Sequence, residues 1–279
     1  MDGMRIILPT FAKLNLTLRV VNKRPDGYHN LVSTFMKIPS GDVLYISEST
    51  AGIDIVNANI PLKGENIVAK ALRIAREDGF KIPPLNVKIH KSIPPGSGLG
   101  AGSGNAAAVL MLFRAERVAP KVGADVPFLC SGLDFALVSG IGDHIEPVKT
   151  HAIHGVIAIP NWETETKSAY TELDALGYDM GIMLARTEAK DIYYANAGRK
   201  VGLLPNDFLK VLLKDHPKYN ELFRIFQKAD ADCWGVTGSG SAAFAVLKES
   251  RRRLGLMFRF FARGLISRLC LELETISSL

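Results

Sequence analysis

The sequence predicts an α+β protein with mostly antiparallel sheets, built as two domains. Strand-like segments alternate apolar and polar residues, as half-exposed antiparallel strands do, and lack the continuous apolar runs of a parallel sheet. Helical patterns are interspersed among the strands without one following each strand in turn. A change of pattern between Thr150 and Gly155 sets the expected domains at 1–152 and 153–279. A length of 279 residues is enough for two moderate cores without disulfides.

The elements follow in chain order. Arg5 to Val21 reads as strand structure, and Leu14, Leu16, Leu18 and Val20 alternate with Lys13, Asn15, Thr17 and Arg19. Lys13 and Asn15 therefore share a strand face, either a solvated one or one that holds an anion and a hydroxyl. Pro25-Asp26-Gly27 is a turn signal, with Tyr28 and His29 at its exit and a paired strand from Leu31 to Ile38. Asp42–Glu48 and Ile53–Val56 are short strands. Asn66 is an N-cap for a helix to about Asp78, with Gly79 as its stop. Leu85, Val87 and Ile89 alternate in the strand before a Gly-rich loop. Asp125 is flanked by small and apolar residues, and is either a helix cap ahead of Pro127 or a site carboxylate. Gly140 to Asp143 joins two hairpin strands. Val156–Ile159 is an apolar strand. Ser168–Leu176, Asn206–Lys214 and Pro217–Ala229 are amphipathic helices. Gly235–Leu247 is a second Gly-rich loop running into a strand. A helix through the Arg/Phe region and a strand over Leu269, Leu271 and Leu273 close the chain.

Composition narrows the function. Hydrophobic residues make up 47% and charged residues 22%, as in an ordinary globular protein. Cys130, Cys233 and Cys270 lie in apolar contexts and form no CxxC, which favours buried thiols in a reducing compartment over disulfides or zinc. The first residues lack a basic-then-apolar leader, and no uncharged apolar run reaches membrane-spanning length, so the expected location is cytoplasmic. The net charge of +6 fits nucleic acid, an anionic membrane surface or a small polyanion. Arg251, Arg252, Arg253, Arg259, Arg263 and Arg268, with Phe258, Phe260 and Phe261 interleaved among them, read as the basic face of a surface helix.

The most informative stretch is Lys91 to Leu110. Gly96, Gly98, Gly100, Gly102 and Gly104 fall on every second residue and lead straight into an Ala-rich helix. Such a loop offers close-approaching N–H groups and the positive end of a helix dipole, which together make an anion cradle. A flexible linker is the bland alternative, but a linker is not bracketed by a strand and a strong helix former. Walker A fails because no Gly-Lys-Ser/Thr occurs, and the protein-kinase signatures are absent. Gly96-Ser-Gly98-Leu-Gly100-Ala101 matches a degenerate dinucleotide fingerprint. The alternating strand before it is the wrong kind for that fold.

Taken together, these blocks carry a resemblance. PPGSGLGAGSGNAA is similar to the central phosphate-binding motif of the galactokinase, homoserine kinase, mevalonate kinase and phosphomevalonate kinase superfamily, and GVTGSGSAAFAV to its C-terminal glycine loop. AKLNLTL, RPDGYHNLVSTF and GADVPF resemble, more specifically, the 4-diphosphocytidyl-2-C-methyl-D-erythritol kinase family of non-mevalonate isoprenoid precursor synthesis.

The resemblance implies an N-terminal domain like domain 2 of ribosomal protein S5 and a C-terminal ferredoxin-like domain. It implies transfer of the γ-phosphoryl of ATP, with Mg²⁺, to the 2-hydroxyl of the methylerythritol unit. Asp125 would take the hydroxyl proton, with Lys13 beside it as the second catalytic residue. Asn15 would bond the substrate. Asn66, Lys91 and Pro94 would lie near the nucleotide. Gly96, Gly98, Leu99, Gly100, Ala101, Gly102, Ser103, Gly104 and Asn105 would wrap the triphosphate. Tyr28 and His29 would read the cytosine, with Tyr170 on its other side, and Thr166, Gly238, Ser239 and Gly240 would complete the substrate site. No protein-only metal site is expected; Mg²⁺ would arrive with ATP, with Ser103 as a contact. The implied partner is the small-molecule substrate, with neither nucleic acid nor membrane, and the chain would be a monomer or a homodimer.

Two departures stand out. Gly104 occupies the position of the family's usual second Ser, and the interval from Asn105 to Asp125 is shorter than usual by about three helical turns. Two other functions remain in view: a superfamily kinase acting on a different alcohol, and an RNA-binding module using the S5-like fold. The second leaves Lys13, Asp125 and two glycine loops unexplained, since fold alone does not fix function.

Overall fold

A computed structural model describes residues 5–62, 64–149, 153–178, 200–247 and 268–274. The helix expected through 251–263 lies outside them. Contact density divides the chain into two compact units that interleave in sequence. One comprises 1–13, 37–95 and 100–133; the other comprises 14–36, 96–99 and 134–279.

The first unit holds a four-stranded sheet and a group of helices packed on one another. Its strands are β1 (Arg5–Pro9), β4 (Val43–Glu48), β5 (Ile55–Ala58) and β6 (Leu85–His90), in the order β1-β4-β6-β5. Only the β5–β6 pairing is parallel. The period-two pattern works as expected: Leu85, Val87 and Ile89 of β6 face inward with Leu44 and Ile46 of β4. Helix α1 (Ile67–Glu77) buries Val68, Ala71, Leu72 and Ala75, the spacing of one helical face. Its predicted cap is present, since Asn66 accepts a hydrogen bond from the Val68 N–H at 2.9 Å. Gly79, with φ of +93°, ends it as expected. Helix α2 (Ala101–Leu112) is buried nearly all round, which its run of alanines permits.

Arg5 to Val21 is not one strand. β1 ends at Pro9, and β2 (Ala12–Lys23) begins a second sheet with β3 (His29–Ile38), β7 (Phe135–Gly140) and β8 (His144–Pro147), in the order β2-β3-β7-β8. Thr10 makes the break. Its N–H and hydroxyl both bond the Asp42 carbonyl, at 2.9 and 3.1 Å, and its hydroxyl also reaches Asn105. Nor is the polar face of β2 solvated: Lys13, Asn15 and Thr17 are only 5%, 2% and 2% exposed. The predicted turn between β2 and β3 is present, with Gly27 at φ of +85°.

The second unit also holds a five-stranded sheet of β9 (His154–Ile159), β10 (Gly202–Leu203), β11 (Cys233–Val236), β12 (Ala243–Val246) and β13 (Arg268–Glu274), in the order β10-β11-β12-β9-β13. Helices α5 (Thr166–Leu176), α6 (Leu209–Asp215) and α7 (Tyr219–Lys228) belong to this unit, and its core includes Leu18, Phe208, Tyr219, Leu222 and Phe226. Asn206, expected to begin α6, instead lies outside it. Its side chain donates to the Val236 and Gly238 carbonyls and accepts from the Phe208 N–H. The architecture is α+β with mostly antiparallel sheets, as the sequence predicts. Burial pushes the thiols of Cys130 and Cys233 up to about 12.

Candidate active site

In the first unit, the Gly-rich loop ends where α2 begins. Gly100 is the N-cap, in the left-handed region at φ of +63°. Beneath it lie Lys13 and Asp125, with Nζ and Oδ2 3.5 Å apart. A Cβ on Gly100 would come within 3.0 Å of Lys13 and 3.1 Å of Asp125 Oδ2. The glycine is thus required twice, by its backbone angle and by the pair it covers. Asp125 stands at the N-cap of the short helix α4 (Val126–Cys130) but makes no side-chain capping bond, so the capping role read from the sequence is not filled. It is also the more open partner, its side chain 27% exposed against 6% for Lys13.

The shortened interval still delivers Asp125 to Lys13. Helix α2 stops at Leu112, and Arg114 takes a left-handed φ of +53° while the Ala115 N–H bonds the Leu110 carbonyl at 2.8 Å, a closed C-terminal cap. A 3₁₀ turn (Glu116–Val118) and α3 (Ala119–Val122) then lead directly to α4. Gly104 has its own explanation. A Cβ there would overlap the Phe11 carbonyl oxygen, so the family's Ser has no room. Ser103 remains half-buried in the first turn of α2, and its hydroxyl has no partner among the described residues.

Lys91 and Asn105, both expected near ATP, meet on one buried carboxylate, that of Asp42. Asp42, whose side chain is fully buried, pairs with the Lys91 ammonium, itself 5% exposed. The same carboxylate accepts from the Ser92 N–H at 2.8 Å, the Ile93 N–H at 3.2 Å and Asn105 Nδ2 at 2.8 Å. Asp42 thus ties the strand entering the Gly-rich loop to the helix leaving it. Replacing it with Ala strands a buried ammonium, and Asp42→Ala is expected to lower the unfolding free energy by about 3–5 kcal/mol in urea titration. A loss below about 1 kcal/mol would show that Lys91 finds another partner.

In the second unit, the earlier part of the loop meets the C-terminal glycine loop. Gly98, at φ of +76°, approaches so closely that a Cβ would lie 2.6 Å from the Gly240 carbonyl oxygen. The Ser241 and Ala242 N–H groups bond the Gly96 and Ser97 carbonyls at 3.2 and 3.0 Å. Thr237, fully buried, bridges the Asn15 N–H (2.8 Å) and the Gly98 carbonyl (3.4 Å). The Asn15 amide donates to Ser33 at 2.9 Å, so this residue acts first as part of the scaffold. Thr166 and Ser239, both expected at the substrate, share a hydroxyl hydrogen bond of 2.9 Å.

His29 sits at the start of β3 with Nε2 2.7 Å from Asp174 Oδ1. Lys23 donates to Asp174 Oδ2 at 2.6 Å, and the Tyr178 hydroxyl donates to Oδ1. Burial alone would raise the Asp174 carboxyl. The bonds from Lys23, Tyr178 and His29 outweigh it and hold the group well below the usual carboxylate range. Tyr170 stacks directly on His29, with centroids 4.5 Å apart, which leaves no gap for a base between the two rings. Tyr28 is 61% exposed and offers an open ring face. Sequence reasoning missed Asp42, Thr237 and Asp174. For Asp174 a signal existed: Tyr170 and Asp174 are four residues apart on a helix and must share a face.

The family model described as GHMP kinases N terminal domain matches residues 66–130. A 4-diphosphocytidyl-2-C-methyl-D-erythritol kinase of Porphyromonas gingivalis is 34% identical over 262 residues, covering 88% of this chain and 92% of the relative. One of Thermotoga maritima is 34% identical over 249 residues, covering 86% and 91%. Among solved structures, a 4-(cytidine 5'-diphospho)-2C-methyl-D-erythritol kinase superposes with a TM-score of 0.76 at 24% identity, covering 98% of this chain and 100% of that one. A homoserine kinase of Cytophaga hutchinsonii superposes at 0.64 and 16% identity, a likeness of fold. With identity above 30% across nearly the whole length of such relatives, the chain belongs to the 4-diphosphocytidyl-2-C-methyl-D-erythritol kinase family.

Proposed function

We propose that this chain is an ATP-dependent kinase that phosphorylates the 2-hydroxyl of 4-diphosphocytidyl-2-C-methyl-D-erythritol, acting in the cytoplasm. The observation that carries the chemistry is the Lys13–Asp125 pair under Gly100, at the N-terminus of α2. Phosphoryl transfer asks mainly for placement and charge stabilisation. Asp125 accepts the proton of the attacking hydroxyl as the new O–P bond forms and the bond from the γ-phosphorus to its bridging oxygen breaks. Lys13 stabilises the charge that gathers on the transferring oxygens. The phosphates lie along the loop and the α2 N-terminus, where glycine backbone and helix dipole favour anions. Mg²⁺, when bound, supplies neutralisation of the phosphates, and Ser103 is the side chain of the first turn of α2 offered to it. His29 reads the pyrimidine edge and Tyr28 provides a stacking face.

The test is a panel of alcohols with ATP and Mg²⁺: the cytidine diphosphate substrate, mevalonate, homoserine and galactose. The cytidine compound alone is expected to be consumed at an appreciable rate. Turnover of another alcohol in its place would assign a different activity within the superfamily. His29→Ala is expected to raise KM for the cytidine substrate on the order of 10- to 100-fold, with KM for ATP within about 2-fold. Equal changes in both would remove His29 from base recognition.

A further inference from the structure

Among the described residues, His29 is hydrogen-bonded at one ring nitrogen only. Asp174, through Oδ1, takes the hydrogen bond at Nε2, and the ring is held flat against Tyr170 and edge-on to Tyr178, at 4.5 and 6.1 Å. Nδ1 has no hydrogen-bond partner among the described residues. An ionised carboxylate only accepts hydrogen bonds, so the hydrogen must sit on Nε2. A neutral imidazole with its hydrogen on Nε2 carries a lone pair on Nδ1. Lys23 anchors the other carboxylate oxygen at 2.6 Å, so Asp174 is held by charge as well as by its place on α5.

We infer that Asp174 is a positioning residue that fixes His29 as a hydrogen-bond acceptor at Nδ1, and thereby selects a base with an exocyclic amino group over one with a keto group. This deepens the proposed function and rests on it. At the equivalent edge cytosine offers a 4-amino donor and uracil a 4-oxo acceptor. A lone pair on Nδ1 pairs with the first and faces a second lone pair in the other. A site built around a polar group discriminates strongly when its buried partner is left unpaired. The carboxylate is the part that matters. Without it the ring is free to place its hydrogen on either nitrogen and so to accept or donate at Nδ1.

The experiment compares kcat/KM for the cytidine diphosphate substrate and its uridine counterpart, in the unaltered chain and in Asp174→Ala. The cytidine-to-uridine ratio is expected to fall on the order of 10-fold or more, through KM for the cytidine compound, with KM for ATP within about 2-fold. A ratio within about 2-fold of the parent's would overturn the inference while leaving the kinase reading intact. Failure of the unaltered chain to phosphorylate either compound would overturn the proposed function and the inference with it. Nitrogen-15 NMR of the full chain, with His29→Ala to assign the signals, supplies a readout independent of catalysis and of the variant's folding. It should show His29 with hydrogen on Nε2 alone at neutral pH. Hydrogen on Nδ1, alone or together with hydrogen on Nε2, would contradict the inference.

Discussion

Asp125→Asn is expected to lower kcat by about 10²–10⁴-fold while leaving the affinity for ATP within a few-fold. The amide is nearly isosteric with the carboxylate, so Gly100 and the α2 N-terminus keep their places over Lys13, and the nucleotide cradle is unchanged. What is lost is the acceptor for the hydroxyl proton. ATP binding by calorimetry and turnover by a coupled assay separate the two effects. A variant with a kcat close to the parent's would show that Asp125 is not the base, and that the Lys13–Asp125 pair has only a structural part.

Gly104→Ser, which restores the family's usual residue, is expected to damage the protein. The new Cβ has no space, because the Phe11 carbonyl occupies it, and backbone on both sides must move. Overpacking of this kind costs about 3 kcal/mol or more. For a protein of this size that lowers the thermal midpoint by roughly 6–12 °C. The movement would begin at Phe11 and Gly104, beside Thr10 and Asn105, and so would disturb the buried network on Asp42. A variant as stable as the parent would show that the loop around Phe11 yields easily. In that case the glycine at 104 would have no steric cause.

Much of this site is legible in the sequence because it is local. The glycine loop, the Asn66 cap, the Gly27 turn and the Asp125 block each declare themselves within a few residues. What is not legible depends on distant partners. Asp42 follows a glycine and reads as an ordinary turn-to-strand residue, yet its partners Lys91 and Asn105 lie 49 and 63 residues away. The polar face of β2 shows the same limit. Period two tells which residues share a face, but not whether water or another part of the chain covers it. Tyr170 illustrates a third kind. Resemblance places it beside the base, whereas the structure stacks it on His29, because the i, i+4 spacing on α5 brings Tyr170 and Asp174 to the same ring. The compact units interleave in sequence, where a composition change marks only the stretch from Thr150 to Gly155. A chain that leaves and re-enters a unit gives no compositional mark where it does so.

The most direct test of the central claim is to incubate the full chain with ATP, Mg²⁺ and 4-diphosphocytidyl-2-C-methyl-D-erythritol and identify the product by phosphorus-31 and carbon-13 NMR. The account predicts one new phosphomonoester per ADP formed, with phosphorus coupling at C2 of the methylerythritol carbons and the diphosphate intact. ATP consumption no faster than in the absence of the cytidine compound, or phosphate on a different hydroxyl, would contradict it.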